Sequence, residues 1–208
     1  MKKIIVLLLA IILSFPVEAE LKNGKCGENL TYTFDTNTGI LKIEGSGAMV
    51  HSGGMYDFDA NDLPWSSYSD SILEVVLPEG LTIIGAYAFY GCSNLVHISF
   101  PQSVKRISPY AFYGCSGLTS ITIPGTLKSI GRNAFEGCTG LLTLNLSEGV
   151  MEIDEWAFES CSGISTLTIP GTVKEIGICA FDRCSGLTSV IIHEGCCRIQ
   201  LHAFYRCI

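Results

Sequence analysis

Charge is scarce in this sequence. Asp, Glu, Lys and Arg make up 16% of its 208 residues, and the basic ones are fewer, 13 against 20, for a formal net charge of −7. A nucleic-acid binder ordinarily carries a basic face, so this balance argues against that class. Intrinsic disorder as the main state needs low hydrophobicity and high charge, and 48% of these residues are apolar. Beyond the N-terminus no apolar run reaches spanning length, and no hydrophobic tail of the lipid-anchor kind is present. Also missing are paired Cys-x-x-Cys spacings that would suggest zinc and a glycine loop that would cradle phosphate. The four histidines, His51, His97, His193 and His202, have no Ser, Cys and Asp in a register that would make a triad. The expectation is a non-enzyme without cofactor or metal.

The first residues read as a leader. Met1, Lys2 and Lys3 are followed by an apolar run from Ile4 to Phe15, then by Val17-Glu18-Ala19 with small residues at the two recognition positions. This layout predicts a signal peptide over 1–19 cut after Ala19, and hence a secreted or cell-surface protein. The run is too short to span a bilayer comfortably. Losing Lys2, Lys3 and Glu18 takes the formal charge to −8.

One period governs the rest. Ala-Phe recurs at Ala88-Phe89, Ala111-Phe112, Ala134-Phe135, Ala157-Phe158, Ala180-Phe181 and Ala203-Phe204, each 23 residues after the last. Cys92, Cys115, Cys138, Cys161, Cys184 and Cys207 keep the same register, as do Ile84, Ile107, Ile130, Ile153, Ile176 and Ile199. So does a column of strand residues, Ile98, Ile121, Leu144, Leu167 and Val190. A unit this short cannot close a core alone, but stacked units bury each column against its copy in the next coil. Leu118 to Ile123 reads as a short strand, inward at Ile121 and Ile123, ended by Pro124-Gly125. Leu127 to Ile130 forms a second extended stretch on the opposite side, and Asn133 to Gly137 a helical or irregular turn that drops Phe135 inward. With strands about 4.8 Å apart, six coils give a rod or arc roughly 30 Å long whose sheet is one continuous ladder.

The unit Leu118, Ile121, Ile123, Pro124, Ile130, Gly131, Ala134, Phe135, Cys138 resembles the BspA-like leucine-rich repeats, the 23-residue treponemal type. The resemblance covers Ser71 to Cys207; Ser147 and His193 stand in place of the strand-ending Pro, and Asp154 and Gln200 in place of the Gly. The expected fold is therefore a repeat solenoid. It is a leucine-rich repeat array with one parallel β-sheet, short second strands or helical turns opposite, and an N-terminal β-hairpin cap. Residues 20–70 are assigned to the cap and 71–208 to the repeats. Within the cap, Asn29 to Glu44 reads as a hairpin about the turn Asp35–Gly39, and Gly45 to Asp70 as loop anchored by Trp65 and Tyr68. Cys26-Gly27, the stretch Gly45 to Met49 and Pro64-Trp65 are similar to the opening module of the same family. The sequence stops at Ile208, one residue after the last ladder Cys; self-association through an open end and a truncated chain are both consistent with that.

Ten cysteines in a secreted chain suggest disulfides, but a column with one Cys per coil points its side chains the same way, which favours buried free thiols. Cys179 and Cys197 are candidates for a local bridge. Asp57, Asp59, Asn61 and Asp62 imitate a calcium loop that then lacks its Gly and has Tyr68 where a Glu is needed, so a polar loop is the better reading. Asn29-Leu30-Thr31 and Asn145-Leu146-Ser147 are glycosylation sequons, relevant in a eukaryotic source.

The outward strand face is the candidate binding surface: His97 and Ser99, Ser120 and Thr122, Thr143 and Asn145, Thr166 and Thr168, Ser189 and Ile191. It is rich in hydroxyls and poor in charge, which suits recognition of an extended partner, although Ser and Thr also simply tolerate an exposed pleat. An ice-binding array is disfavoured because the Thr-x-Thr register breaks at Asn145 and Ile191. The family resemblance implies an adhesin-like role toward extracellular or host proteins, with matrix proteins such as fibronectin or fibrinogen as the partners it suggests. A structural or antigenic protein that self-assembles is the alternative.

Overall fold

A computed structural model describes residues 20–49, 63–196 and 198–207. The leader 1–19, the calcium-like stretch from Asp57 to Asp62, His51 and Cys197 lie outside them. The chain winds into a series of coils held by two sets of short strands. One set is β4 (Glu74–Val76), β6 (His97–Ile98), β8 (Ser120–Ile123), β10 (Thr143–Leu146), β12 (Thr166–Ile169) and β14 (Ser189–Ile192). The other is β5 (Gly80–Ile84), β7 (Arg106–Ile107), β9 (Ser129–Ile130), β11 (Glu152–Ile153), β13 (Glu175–Ile176) and β15 (Arg198–Ile199). Each parallel pair between coils is offset by one sequence period, as in Ile107 on Ile130 and Ile130 on Ile153.

The core is the set of columns read from the sequence. Phe89, Phe112, Phe135, Phe158 and Phe181 are fully buried, and their rings stack face to face 4.9 to 5.2 Å apart. The Ile column on β5 to β13 and the Leu column from Leu95 to Leu187 are buried with them. Close approach of successive coils is built into the glycine two residues after Cys115, Cys138, Cys161 and Cys184: a Cβ at Gly140 would stand 2.3 Å from the Ser116 carbonyl oxygen.

The continuity of the sheet differs from the sequence reading. The unbroken ladder is the second one, β5 through β15; on the candidate binding face β8 pairs only with β10 and β12 only with β14, leaving junctions at β6/β8 and β10/β12 where neighbouring strands are not a hydrogen-bonded pair. Of the helical or irregular turn that the sequence allowed, the Ala-Phe segments form the irregular one. Each contains a residue with positive φ just before Ala, Tyr87, Tyr110, Asn133, Trp156, Cys179 and His202 at 54 to 61°, and N–H groups there alternate between local turns and the next coil. Thus Ala111 N donates to Ser108 O, Phe112 N to Ala134 O, Tyr113 N to Tyr110 O and Gly114 N to Glu136 O. This gives a third polar ladder, which satisfies backbone groups that burial would otherwise orphan.

At the N-terminal end, β1 (Leu21–Lys25), β2 (Leu30–Asp35) and β3 (Ile40–Ala48) form an antiparallel meander. The turn before β3 is closed by Asp35, whose carboxylate accepts N–H bonds from Asn37 and Thr38; those bonds hold its pKa below the ordinary value. β3 is long enough to serve both sheets: Ile40 to Lys42 pairs with β4, and Ser46 to Ala48 with β5. Trp65 completes this end, buried with its ring stacked on Phe89 at 5.9 Å and its Nε1 donating to the Ala88 carbonyl at 2.7 Å. The sequence reading missed β1 and took Gly45 to Ala48 for loop; the positive φ of Gly45 and Gly47 lets β3 bend from one sheet to the other.

Candidate functional site: the strand face and its grooves

Alternation in the strands decides which side chains face out. In β8 the residues Ile121 and Ile123 are buried while Ser120 and Thr122 are exposed, and β12 repeats the pattern with Thr166 and Thr168 outward. All ten residues of the candidate surface are solvent-exposed. Parallel register sets them in rows, Thr143 beside Ser120, Asn145 beside Thr122, Thr166 beside Ser189 and Thr168 beside Ile191.

The rows are not a uniform plane. A groove of about 650 Å³ lies across the β6/β8 junction. Five of the candidate residues, His97, Ser99, Ser120, Thr122 and Asn145, line it, over a floor that includes Phe100, Ile121 and Pro124. A smaller recess of about 200 Å³ crosses the β10/β12 junction, with Thr143, Asn145, Thr166 and Thr168 in its wall. Both concavities therefore straddle the two places where the strand-face ladder is interrupted. Ser189 and Ile191 line neither.

The sequence reading did not find the groove's outer wall. Gln102, Thr126, Ser147 and Glu148 come from the turns after the strands. One signal was present, the Ser147 that stands where every other coil but the last has Pro. Within the groove Asn145 Nδ2 donates to Thr122 Oγ1 at 3.3 Å, and His97 Nε2 and Ser99 Oγ share a 3.4 Å contact. Thr126 Oγ1 is spent on the Val104 carbonyl. The exposed hydroxyls, amides and imidazole supply hydrogen bonds to a partner, and the floor supplies apolar contact. A glycan on Asn145 would occupy this groove. His193 and His202 are exposed and lie outside it. Among the described residues no three His, Cys, Asp or Glu side chains are grouped as a metal site.

The cysteine column serves the core. The thiols are free, and Cys115, Cys138, Cys161, Cys184 and Cys207 each donate Sγ–H to the carbonyl of a Phe in the preceding coil at 3.1 to 3.3 Å. Burial pushes these thiols up; Cys92 is raised to about 12 and Cys26, near the N-terminal end, to about 11. Cys179 is a free thiol on the turn side, and Cys196 is half-buried in a column that otherwise holds Leu or Val.

A family model for the BspA type leucine-rich repeat region matches six copies, over residues 66–177 and 105–208. The chain belongs to the BspA-type leucine-rich repeat family. Solved structures of leucine-rich repeat proteins share its fold. One from T. pallidum is 24% identical, with a TM-score of 0.58 over 85% of this chain and 91% of that one. Another from Bacteroides ovatus is 24% identical, with a TM-score of 0.59 over 88% of this chain and 50% of that one. A leucine-rich cell surface protein of Faecalibacterium prausnitzii is 22% identical, with a TM-score of 0.52 over 81% and 54%. The chain thus spans about half the length of the last two. No curated protein matches the sequence. No described helix is long and apolar enough to cross a membrane.

Proposed function

We propose that this BspA-type repeat protein is a secreted or cell-surface binding protein, not an enzyme, that holds an extended segment of an extracellular or host protein against its strand face. In this reading residues 1–19 are the leader, 20–70 the cap and 71–208 the repeat array. The observation that carries it is the groove across the β6/β8 junction, where the polar side chains of Ser120, Gln102 and Ser147 surround an apolar floor. An extended chain lying there can exchange hydrogen bonds along its backbone and seat an apolar side chain on Phe100 and Pro124. The family suggests protein–protein interaction, and the F. prausnitzii relative is described as a cell surface protein. Matrix proteins such as fibronectin or fibrinogen are the partners suggested by family resemblance.

The test is a binding screen of the purified chain on host cells and immobilised matrix proteins. The triple variant Ser120→Ala, Thr122→Ala, Asn145→Ala should lose at least about tenfold in affinity for whatever the wild type binds, as expected from removing several hydrogen bonds. No binding by the wild type, or equal binding by the variant, contradicts the reading.

A second reading is self-assembly through the last described coil, where Val190, Ile191, Ile192, Ile199 and Leu201 are exposed together. Light scattering over a concentration series separates the two: a strict monomer excludes assembly and leaves the groove reading untouched.

A further inference from the structure

The turn side of the solenoid carries a surface that the repeat itself does not require. Tyr87 stacks on Tyr110 and Tyr90 on Tyr113, both pairs 4.9 Å apart and within 9° of parallel. The two stacks meet at a tilt, with ring centroids 5.7 and 6.0 Å apart, which makes a four-ring patch with Tyr90 38% exposed. The next three coils put Asn133 and Glu136, Trp156 and Glu159, and Cys179 and Asp182 at the same two positions. These coils keep the same backbone and the same buried core, so aromatic rings there are not a condition of folding. At the left-handed positions Tyr87 and Tyr110 bear a bulky side chain where the asparagine of the third coil is conformationally easier.

The tyrosine column runs directly into three carboxylates, Glu136, Glu159 and Asp182, on successive coils. Like charges stacked at coil spacing repel. Burial and the two flanking carboxylates raise Glu159, and Tyr113 is raised chiefly by Glu136. The internal compensation is thin. Arg183 reaches Glu159 Oε1 and Asp182 Oδ2 only at 3.9 Å each, and Asn133 donates its amide to Glu136. Asp182 and Asn133 are each 7% exposed, yet Asp182 Oδ1 and Asn133 Oδ1 have no hydrogen-bond partner.

Aromatic rings followed by under-compensated carboxylates are complementary to guanidinium and ammonium groups. The molecule shows such pairing with its own side chains on this same side: the Arg132 guanidinium lies 4.5 Å over the Trp156 ring and 3.8 Å from Glu155, and the Arg206 guanidinium 4.9 Å over the Tyr205 ring. We propose that the turn side, from the tyrosine patch of the first two coils to Asp182, is a second interaction surface that binds an extended arginine-rich segment of a partner protein. Four coil steps from Tyr90 to Asp182 span about 20 Å at the inter-strand spacing. An extended peptide covers that in about six residues, with alternate side chains facing the surface.

The probe is a fluorescent octapeptide alternating arginine and glycine, titrated with the full chain and followed by anisotropy at low salt. Its control is the same peptide with uncharged citrulline for arginine. The arginine peptide should bind saturably, and at least roughly tenfold more tightly than the control, from charge pairing and ring contact together. Tyr110→Asn with Tyr113→Asn should weaken it by roughly tenfold and Glu159→Gln by about threefold, with circular dichroism confirming the fold. Should the tyrosine variant not fold, Glu159→Gln carries the test alone. The strand-face triple variant should bind this peptide unchanged. Equal binding of both peptides, undiminished binding by the folded turn-side variants, or loss in the strand-face variant overturns the proposal.

Discussion

Ile176 and Ile199 occupy the same column one coil apart, and only the first is buried: 0% exposed against 50%. The same holds for Ile169 against Ile192 and for Leu167 against Val190. Their own coils share the Ile, Ala-Phe and Cys columns and differ at the turn positions, where His193, Cys196 and Gln200 replace Pro170, Val173 and Gly177. What Ile176 has, and Ile199 in the last described coil lacks, is a following coil laid over it. At the other end the first coil is already closed, with Leu81 and Ile84 fully buried, because β3 and Trp65 take the place of a preceding coil. Burial in this molecule belongs to the interface between coils, so stability is a sum over interfaces rather than the property of one core.

That comparison makes graded predictions. The largest effect belongs to Phe135, whose ring is stacked on both sides. Phe135→Ala should cost about 3–5 kcal/mol in urea unfolding, whereas Phe204→Ala, half-buried and stacked on Phe181, should cost less than half as much. Equal losses would mean that neighbouring coils do not set burial.

The thiols sharpen the same contrast through pH. A buried thiol whose folded pKa lies above its unfolded value binds its proton more tightly in the native state. Its contribution is intact below the ordinary value of 9.0 and is lost as pH rises toward the folded value, about 12 for Cys92. The loss approaches about 1.4 kcal/mol per pH unit for each such thiol. The melting temperature should therefore fall steeply above pH 9, and Cys92→Ala should flatten that fall while lowering stability at neutral pH. In native protein, iodoacetamide should modify the half-buried Cys207 faster than Cys138. A flat alkaline profile or uniform labelling contradicts this arrangement.

Smaller effects follow at the covered end. Trp65→Phe keeps the ring against Phe89 but removes the bond to the Ala88 carbonyl, so it should cost about 0.5–1.5 kcal/mol. Smallest of all, Thr122→Ala on the strand face should change stability by less than about 0.5 kcal/mol, since its side chain is exposed. A larger change would make that row structural and weaken its claim to be a binding surface.

What could be read in advance was whatever repeats. The Phe, Ile and Cys columns are periodic in sequence because they meet in space, and alternation in Ser120 to Ile123 fixed which residues face outward. Non-repeating features were not legible. Leu21 to Lys25 has no alternation, yet it forms β1 because β2 offers an edge. The reach of β3 into the second sheet depends on Gly45 and Gly47, which read as turn residues when taken singly. The groove's outer wall is made by residues from three different turns, Gln102, Thr126 and Glu148, which only coil stacking brings together. The interruptions at β6/β8 and β10/β12 likewise have no mark in the period, although the grooves sit on them.

The most direct test of coil stacking is a change of length by one period. Deleting residues 118–140 removes 23 residues, one full coil, and joins Gly117 to Leu141 in register. The product should unfold cooperatively in urea with a smaller slope than the parent. Deleting one residue fewer, 118–139, leaves the coil at the junction one residue too long for its columns to meet the coil before it, and should be markedly less stable than the full-period deletion. If both deletions fold equally well, or the full-period deletion fails while the shorter one folds, the coils are not held by register and the account is wrong.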